Sequence, residues 1–476
     1  MTTPLPSPRY SLFMLHPPRR AGTGISGTGT FKSARPTPAA GRMNPLPSKA
    51  HRPRHTVLLS LCGLVPEELD QLPFLSPREW QLLLRWLDTS GLALSFLDRL
   101  TELELLYLLP PPVLARLQRN LADNRERTAA LLADAAILHR NFQAAGLSYA
   151  TLKGFSLWPI SVPRFELRSQ LDLDFLISET HAPEAMRILE ALNYRRHGIS
   201  GRSWEFRTNV EGVPTMADLY KPMRHRAVEL HLESATGAES RLLRAEERQF
   251  HGTRMPVLSP LDLFLDQGLH LFKHTNGAFA RTAHFVEFRR HIRARHHDDR
   301  FWKSLRHLAH RDPKPPIALG LVIHLLSTVT GDFAPELLTS WTVDRLPPAA
   351  RLWADRYKFE KLFGNPPGTK LHLLLQQPLQ LAGVPPKRSL RKSLIPSRLP
   401  PAIGYRPPDE SLPNRIERYR RQLGSFLLQL RFHLVEGFRF LWESARASES
   451  FVRAKGPAYT SLEQSPRFGS ANRTKR

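Results

Sequence analysis

The spacing of apolar and polar residues changes period twice along the chain. Ser76-Pro77-Arg78-Glu79 has the form of a capping box with proline at the first helical position, and the apolar residues of WQLLLRWLDTSGLALSFLDRL follow at helical spacing. A longer helix is predicted over 113–145, with Leu131, Leu132, Ala135, Ile137 and Leu138 as its core stripe and an end near Gly146. The period then shortens. LSYATLKG (147–154) reads as a strand stopping at a glycine, SLWPI as a helical turn and LDLDFLI (171–177) as a strand. APEAMRILEALNY is a helix leading to a strand near Tyr194, and SWEFRT (203–208) and AVELHLE (227–233) alternate as strands do. From Ser259 the helical period returns and holds through most of the remainder. An α/β island at about 145–235 thus lies between helical flanks. The expected fold class is α+β, a small mixed sheet with N- and C-terminal helical regions and disordered basic tails.

Alternation gives the island its chemistry. Successive side chains of a strand point to opposite faces, so Leu171, Leu173 and Phe175 share one face of their strand, and Asp172 and Asp174 share the other. Two carboxylates about 7 Å apart at Cα repel unless a cation lies between them, and hard cations such as Mg²⁺ take oxygen ligands of this kind. A solvated strand face would carry the same pattern. AVELHLE shifts the balance: Glu229, His231 and Glu233 oppose Val228, Leu230 and Leu232, so pairing with 171–177 would let Glu229 complete a three-carboxylate cluster. Asp218 in MADLY competes for that third place, but its segment alternates less cleanly. Such a cluster holds one or two ions that grip a nucleotide's phosphates and activate a hydroxyl. LKGFS (152–156) supplies the other half: a strand ending in glycine before a helical turn offers backbone N–H groups to an anion, with the Lys153 charge and Ser156 hydroxyl beside them.

YATLKGFSLWPI, RSQLDLDFLI, HAPEAMRILEALNY and AVELHLE, taken in order, resemble the uncharacterised nucleotidyltransferases of the DNA polymerase beta superfamily over about 120–300. The resemblance implies a nucleotidyltransferase core with Asp172, Asp174 and Glu229 as catalytic residues and metal ligands. It implies that Lys153, Gly154, Ser156 and Arg168 bind the nucleotide, and that two Mg²⁺, or Mn²⁺, are the cofactors. The chain departs from the pattern with Glu rather than Asp at 229, and with Asn193 where glycine is usual. Asparagine also tolerates left-handed geometry. A longer separation of LKG from D-x-D bears on the role of Ser156.

C-terminal to the island, Ser259, Pro260 and Asp262 open a helix that brings His270, Lys273 and His274 to one face, a possible substrate contact together with His231. The two histidines could bind metal, but zinc requires a third protein ligand that the sequence does not point to. RRHIRARHH (289–297) reads as a solvated helix face. A long amphipathic helix from Asn414 to Glu443 has Arg418, Gln422, Ser425, Gln429, His433, Glu436 and Glu443 on one side, and Phe426, Leu427, Leu430, Leu434, Phe438 and Leu441 on the other. Its apolar side is expected to dock on the helical domain, with a partner helix or a membrane surface as the alternatives.

Composition changes this picture at the edges. Of 476 residues, one is cysteine, which excludes an intramolecular disulfide framework and a thiolate-cluster metal site. No apolar run is long enough to span a bilayer and no signal peptide is visible, so a cytoplasmic protein without a transmembrane segment is expected. The net charge is +25; residues 1–54 hold nine basic residues and no acid, and 385–408 hold six and none. These stretches favour polyanions, including nonspecific contact with nucleic acid. Met43 offers an alternative start. The expected segments are a Pro-rich tail (1–54), an N-terminal helical region (55–145), the nucleotidyltransferase core (146–258) and a C-terminal helical domain (259–375). A basic linker (376–412), an amphipathic helix (413–446) and a second basic tail (447–476) follow. The expected activity is Mg²⁺-dependent transfer of a nucleoside monophosphate from an NTP, ATP among them, to an acceptor hydroxyl or phosphate on a small molecule, RNA or protein. The rival is an inactive nucleotidyltransferase-like protein that binds RNA or another polyanion.

Overall fold

The computed structural model describes residues 47–208, 218–222, 226–234, 239–386, 388–394 and 411–454. Most of the two expected tails and most of the Pro-rich linker lie outside these residues. A helix, Arg52–Leu61, nevertheless begins inside the stretch expected to be tail, a helix Gln376–Leu381 inside the expected linker, and the long C-terminal helix runs Leu412–Ala454, past its expected end.

Among the described residues, seven strands form one mixed sheet: β1 (Tyr149–Leu152), β2 (Asp172–Ser178), β3 (Arg195–Ser200), β4 (Ser203–Arg207), β5 (Ala227–Glu233), β6 (Glu246–Phe250) and β7 (Thr253–Val257), in the order β3-β4-β5-β2-β1-β7-β6. The central pair, β2 and β5, is parallel, with Asp174 opposite Glu229 and Leu176 opposite His231; β1 runs antiparallel to β2 with Leu152 opposite Asp174. β6 and β7 are not legible as strands, because EERQF carries three charges, which suits its place at the sheet edge, and TRMPV contains a proline although β7 lies inside, between β1 and β6. Leu171 falls outside β2 and is exposed rather than sharing the buried face of Leu173 and Phe175.

The expected start and stop signals act where they were read. The Ser76 hydroxyl accepts from Glu79 N–H and the Glu79 carboxylate accepts from Ser76 N–H, closing the capping box of the helix Pro77–Ser90. The long helix Pro111–Ala144 is followed by Gly146 at φ 65°, and Asn193 turns left-handed at φ 65° before β3. One face of the sheet buries Leu173, Phe175, Val228 and Leu230 against Leu131, Leu138 and Phe142 of the long helix and Ala185 and Leu189 of the helix Ala182–Ala191. The opposite face packs Ala150, Leu152 and Leu176 on Leu258 and Leu263 at the start of the helix Pro260–Thr275. The carboxylates belong to this second face.

His139 of the long helix is 2% exposed, with Nδ1 2.9 Å from the Tyr149 hydroxyl, and burial lowers its pKa to about 4. His291, 1% exposed and 2.9 Å from Gln267, is lowered by burial to about 3. Between pH 6.5 and these values the unfolded chain binds protons that the folded one excludes, so stability falls with pH. Each histidine should account for about 1–3 kcal/mol of the loss between pH 6.5 and 4. Melting temperatures measured across that window should drop for the parent and drop less for His139→Gln, which keeps a partner for Tyr149. Parallel slopes would refute the assignment.

Candidate active site

β1 delivers Lys153 and Gly154 through two consecutive left-handed residues, φ 48° and 41°. Glycine is required at 154 for a second reason. A Cβ there would lie 2.4 Å from the Gln170 amide nitrogen, which donates to the Asp172 carbonyl at 2.8 Å. Gln170 thus ties the turn to the first residue of the D-x-D strand. Gly154→Ala should cost about 1–3 kcal/mol through backbone strain and this clash. Its melting temperature should fall, and any stabilisation by Mg²⁺ and NTP should fall further, since Lys153 moves with the turn. An unchanged melting temperature would show that the turn relaxes freely.

Across β2 and β5, Lys153 Nζ lies 2.7 Å from Asp174 Oδ1 and 3.8 Å from Glu229 Oε2; His231 Nε2 lies 3.0 Å from the same Asp174 oxygen and 3.4 Å from the same Glu229 oxygen. One donor atom from each of Asp174, Glu229 and His231 falls within 4.8 Å of the others. Ser203 of β4 donates to the other Glu229 oxygen. Asp174 is 5% exposed, and Asp172, Glu229 and His231 are half-buried.

The charges respond to this crowding. Burial, then repulsion from Asp174, lifts Asp172 to about 6 against the pull of Lys153 and Arg168. The hydrogen bond from His231 holds Glu229 far below the usual carboxylate range. Burial would lower His231, but its bonds to Asp174 and Glu229 prevail and raise it to about 9. Burial likewise opposes the charge on Lys153, yet Asp174 outweighs it and raises the lysine. A lysine and a protonated histidine therefore stand among three carboxylates, where a divalent ion would compete with them. The donor set fits such an ion: carboxylate oxygens on one sheet face, with one acid carrying more repulsion than its neighbours relieve.

Asp218, the competitor for the third position, pairs with Lys221 at the surface at 3.3 Å and belongs to no strand. Ser156 is fully buried, and its hydroxyl donates to the Lys153 carbonyl at 2.7 Å, so here it shapes the turn and does not face the cleft. Arg168 is held by Glu287 at 2.9 Å. Lys153, Arg168, Gln267, His270 and His284 line a small cavity beside the carboxylates.

His284, from the helix Thr282–Ala294, is the imidazole that sequence reasoning missed. It joins His270 and His274 so that one nitrogen from each ring lies within 4.8 Å of the others, and its Nδ1 is buried without a hydrogen-bond partner. Burial is the main cause that lowers all three, aided by Lys153, Lys273, Arg168, Arg281 and Lys361; His274 falls to about 4. Neutral imidazoles can ligate zinc, but the surrounding cations oppose a further positive charge and favour an anion. Lys273 itself is exposed.

A family's sequence profile, described as uncharacterised nucleotidyltransferase, matches residues 76–314, half of the chain. The chain belongs to this uncharacterised nucleotidyltransferase family. The matched span holds every residue of the site, from the Lys153 turn to the His284 helix. Among solved structures, the chain is similar to the crystal structure of an antigenic nucleotidyltransferase-like protein from Paracoccidioides brasiliensis. The identity is 12%, over 43% of this chain and 94% of that one, with a TM-score of 0.26. No curated protein matches the chain. Among the described residues, no helix is long and apolar enough to cross a membrane.

Proposed function

We propose that this protein transfers a nucleoside monophosphate from an NTP to an acceptor hydroxyl or phosphate, releasing pyrophosphate. The supporting observation is the parallel register of β2 and β5, which sets Glu229 directly beside Asp174, with the Lys153–Gly154 turn at the same end of the sheet. Asp172, Asp174 and Glu229 would hold Mg²⁺ or Mn²⁺. Bound there, the ions would neutralise phosphate charge and lower the pKa of the attacking hydroxyl. Lys153 and the backbone of Gly154 would meet the phosphates. Arg168, fixed by Glu287, lines the space beyond together with His270, His284 and Asp266, and the phosphates of a nucleotide would approach it past Lys153.

Glu229 contributes charge rather than proton acceptance. His231, Ser203 and Lys153 together keep it ionised and hence a weak base, whereas a base effective near neutrality needs a pKa near the working pH. His231 would orient Glu229 and Asp174 through its two close approaches.

The deciding experiment incubates the full chain with Mg²⁺, α-labelled NTPs and a cell extract. A labelled small molecule, RNA or protein is expected, and its identity names the acceptor. Absence of label with all four NTPs would favour the polyanion-binding reading, and label that survives Asp174→Asn would belong to a contaminant.

A further inference from the structure

The long C-terminal helix Leu412–Ala454 meets the rest of the protein with the side opposite to the one expected. Its polar stripe faces inward. Glu436 accepts from Lys370 N–H at 3.1 Å, Glu443 accepts from the Tyr357 hydroxyl at 2.7 Å and pairs with Arg356 at 2.7 Å, and Arg439 reaches Glu360 at 3.2 Å. The apolar stripe faces out: Ile416, Leu423, Phe426, Leu434, Phe438 and Trp442 are 50–71% exposed. This row extends along the helix for roughly 40 Å at 1.5 Å per residue.

The shape and charge of this face select its occupant. At 100° per residue, the exposed apolar positions from Phe426 round to Leu428 span an arc of about 200°. A second helix would cover only a narrow seam of such an arc, whereas a flat apolar phase covers all of it. Within the arc, Arg420 and Arg431 are exposed; of its two acids, Glu417 pairs with Arg421 at 3.0 Å and Arg420 at 3.7 Å, and Glu449 falls in the last turns of the helix. The acids Glu436 and Glu443 are turned to the body. The chain leading into the helix, 385–411, holds six basic residues and two acids, Asp409 and Glu410. A broad apolar arc with arginines set in it matches an anionic bilayer surface, where apolar side chains reach the acyl boundary and long basic ones extend to phosphates.

We propose that the helix Leu412–Ala454 seats the protein on an anionic lipid surface, lying in the interface and not crossing it. The proposal does not depend on the transferase reading.

Co-sedimentation of the full chain with phosphatidylserine–phosphatidylcholine vesicles tests it. Binding at low salt should exceed that to phosphatidylcholine alone by about tenfold. Leu423→Glu, Phe426→Glu and Leu434→Glu together should abolish binding and leave the melting temperature unchanged, since all three side chains are exposed. Arg420→Glu with Arg431→Glu should remove the preference for phosphatidylserine. Parent protein left in the supernatant would overturn the proposal. So would a triple variant that pellets like the parent, which would assign binding to the basic segments alone. A dimer in light scattering that the triple variant dissociates, without vesicle binding by the parent, would instead make the face a contact between copies.

Discussion

Asp174→Asn should abolish Mg²⁺-dependent labelling from NTP, with a loss of about a thousandfold or more. Asp174 is the most buried acid of the cluster, and one of its oxygens meets both Lys153 at 2.7 Å and His231 at 3.0 Å. A divalent ion bound here would exchange these partners for itself. An asparagine removes the charge that favours the exchange and turns an N–H₂ group or a neutral oxygen toward the ion. A loss of about 4 kcal/mol of transition-state stabilisation corresponds to that thousandfold. The fold should survive. Without Asp174 the repulsion that raises Asp172 disappears, so Asp172 ionises more readily and replaces part of the charge facing Lys153. Ligand-free stability should therefore fall by only about 1–3 kcal/mol. The stabilisation of the parent by Mg²⁺ with NTP, which follows from mass action on the folded state, should vanish in the variant. An equal melting shift in parent and variant would place the nucleotide away from this cluster.

The parts of the site that could be read from the sequence are those set by local periodicity. D-x-D within an apolar run and AVELHLE each place acids on one strand face, and parallel pairing of the two strands completes the set without further information. The turn at Gly154 was legible as a glycine after a strand, although its requirement comes from Gln170, a residue with no distinguishing pattern. What could not be read depends on how elements are set against each other. His284 stands fourteen positions after His270 on a different helix, and only the angle between the helices brings the rings together. RRHIRARHH looks solvated, yet Arg289 is 8% exposed and donates to the Cys62 carbonyl at 2.7 Å, and His291 is buried on Gln267. A charged residue can be buried when a distant carbonyl receives it, and no spacing in the sequence reports that partner. The C-terminal helix shows the same limit in reverse. Its two faces are plain from periodicity, but the side that docks is chosen by Tyr357, Arg356 and Glu360 on another helix, which meet its charged stripe.

Glu229→Gln should separate nucleotide binding from turnover. The Glu229 oxygens are placed by three groups, Ser203 on one and His231 and Lys153 on the other, and glutamine has nearly the same shape, so the strand pairing should persist. What is lost is a negative charge at the position beside Asp174. If that charge is used mainly on the attacking group, as the reaction's charge develops, ground-state binding changes little and the rate changes much. The expected result is a turnover lower by about a hundred- to a thousandfold, with NTP affinity within about threefold of the parent. Glu229→Asp keeps the charge and withdraws it by one methylene, so its loss should be nearer tenfold. Because His231 holds Glu229 ionised across the accessible range, the rate profile of the parent should show no break from this carboxylate above pH 4. Equal losses in Gln and Asp variants would mean that reach, not charge, is the property in use. A variant with glutamine that turns over like the parent would remove Glu229 from the reaction and leave the two aspartates to hold the ions alone.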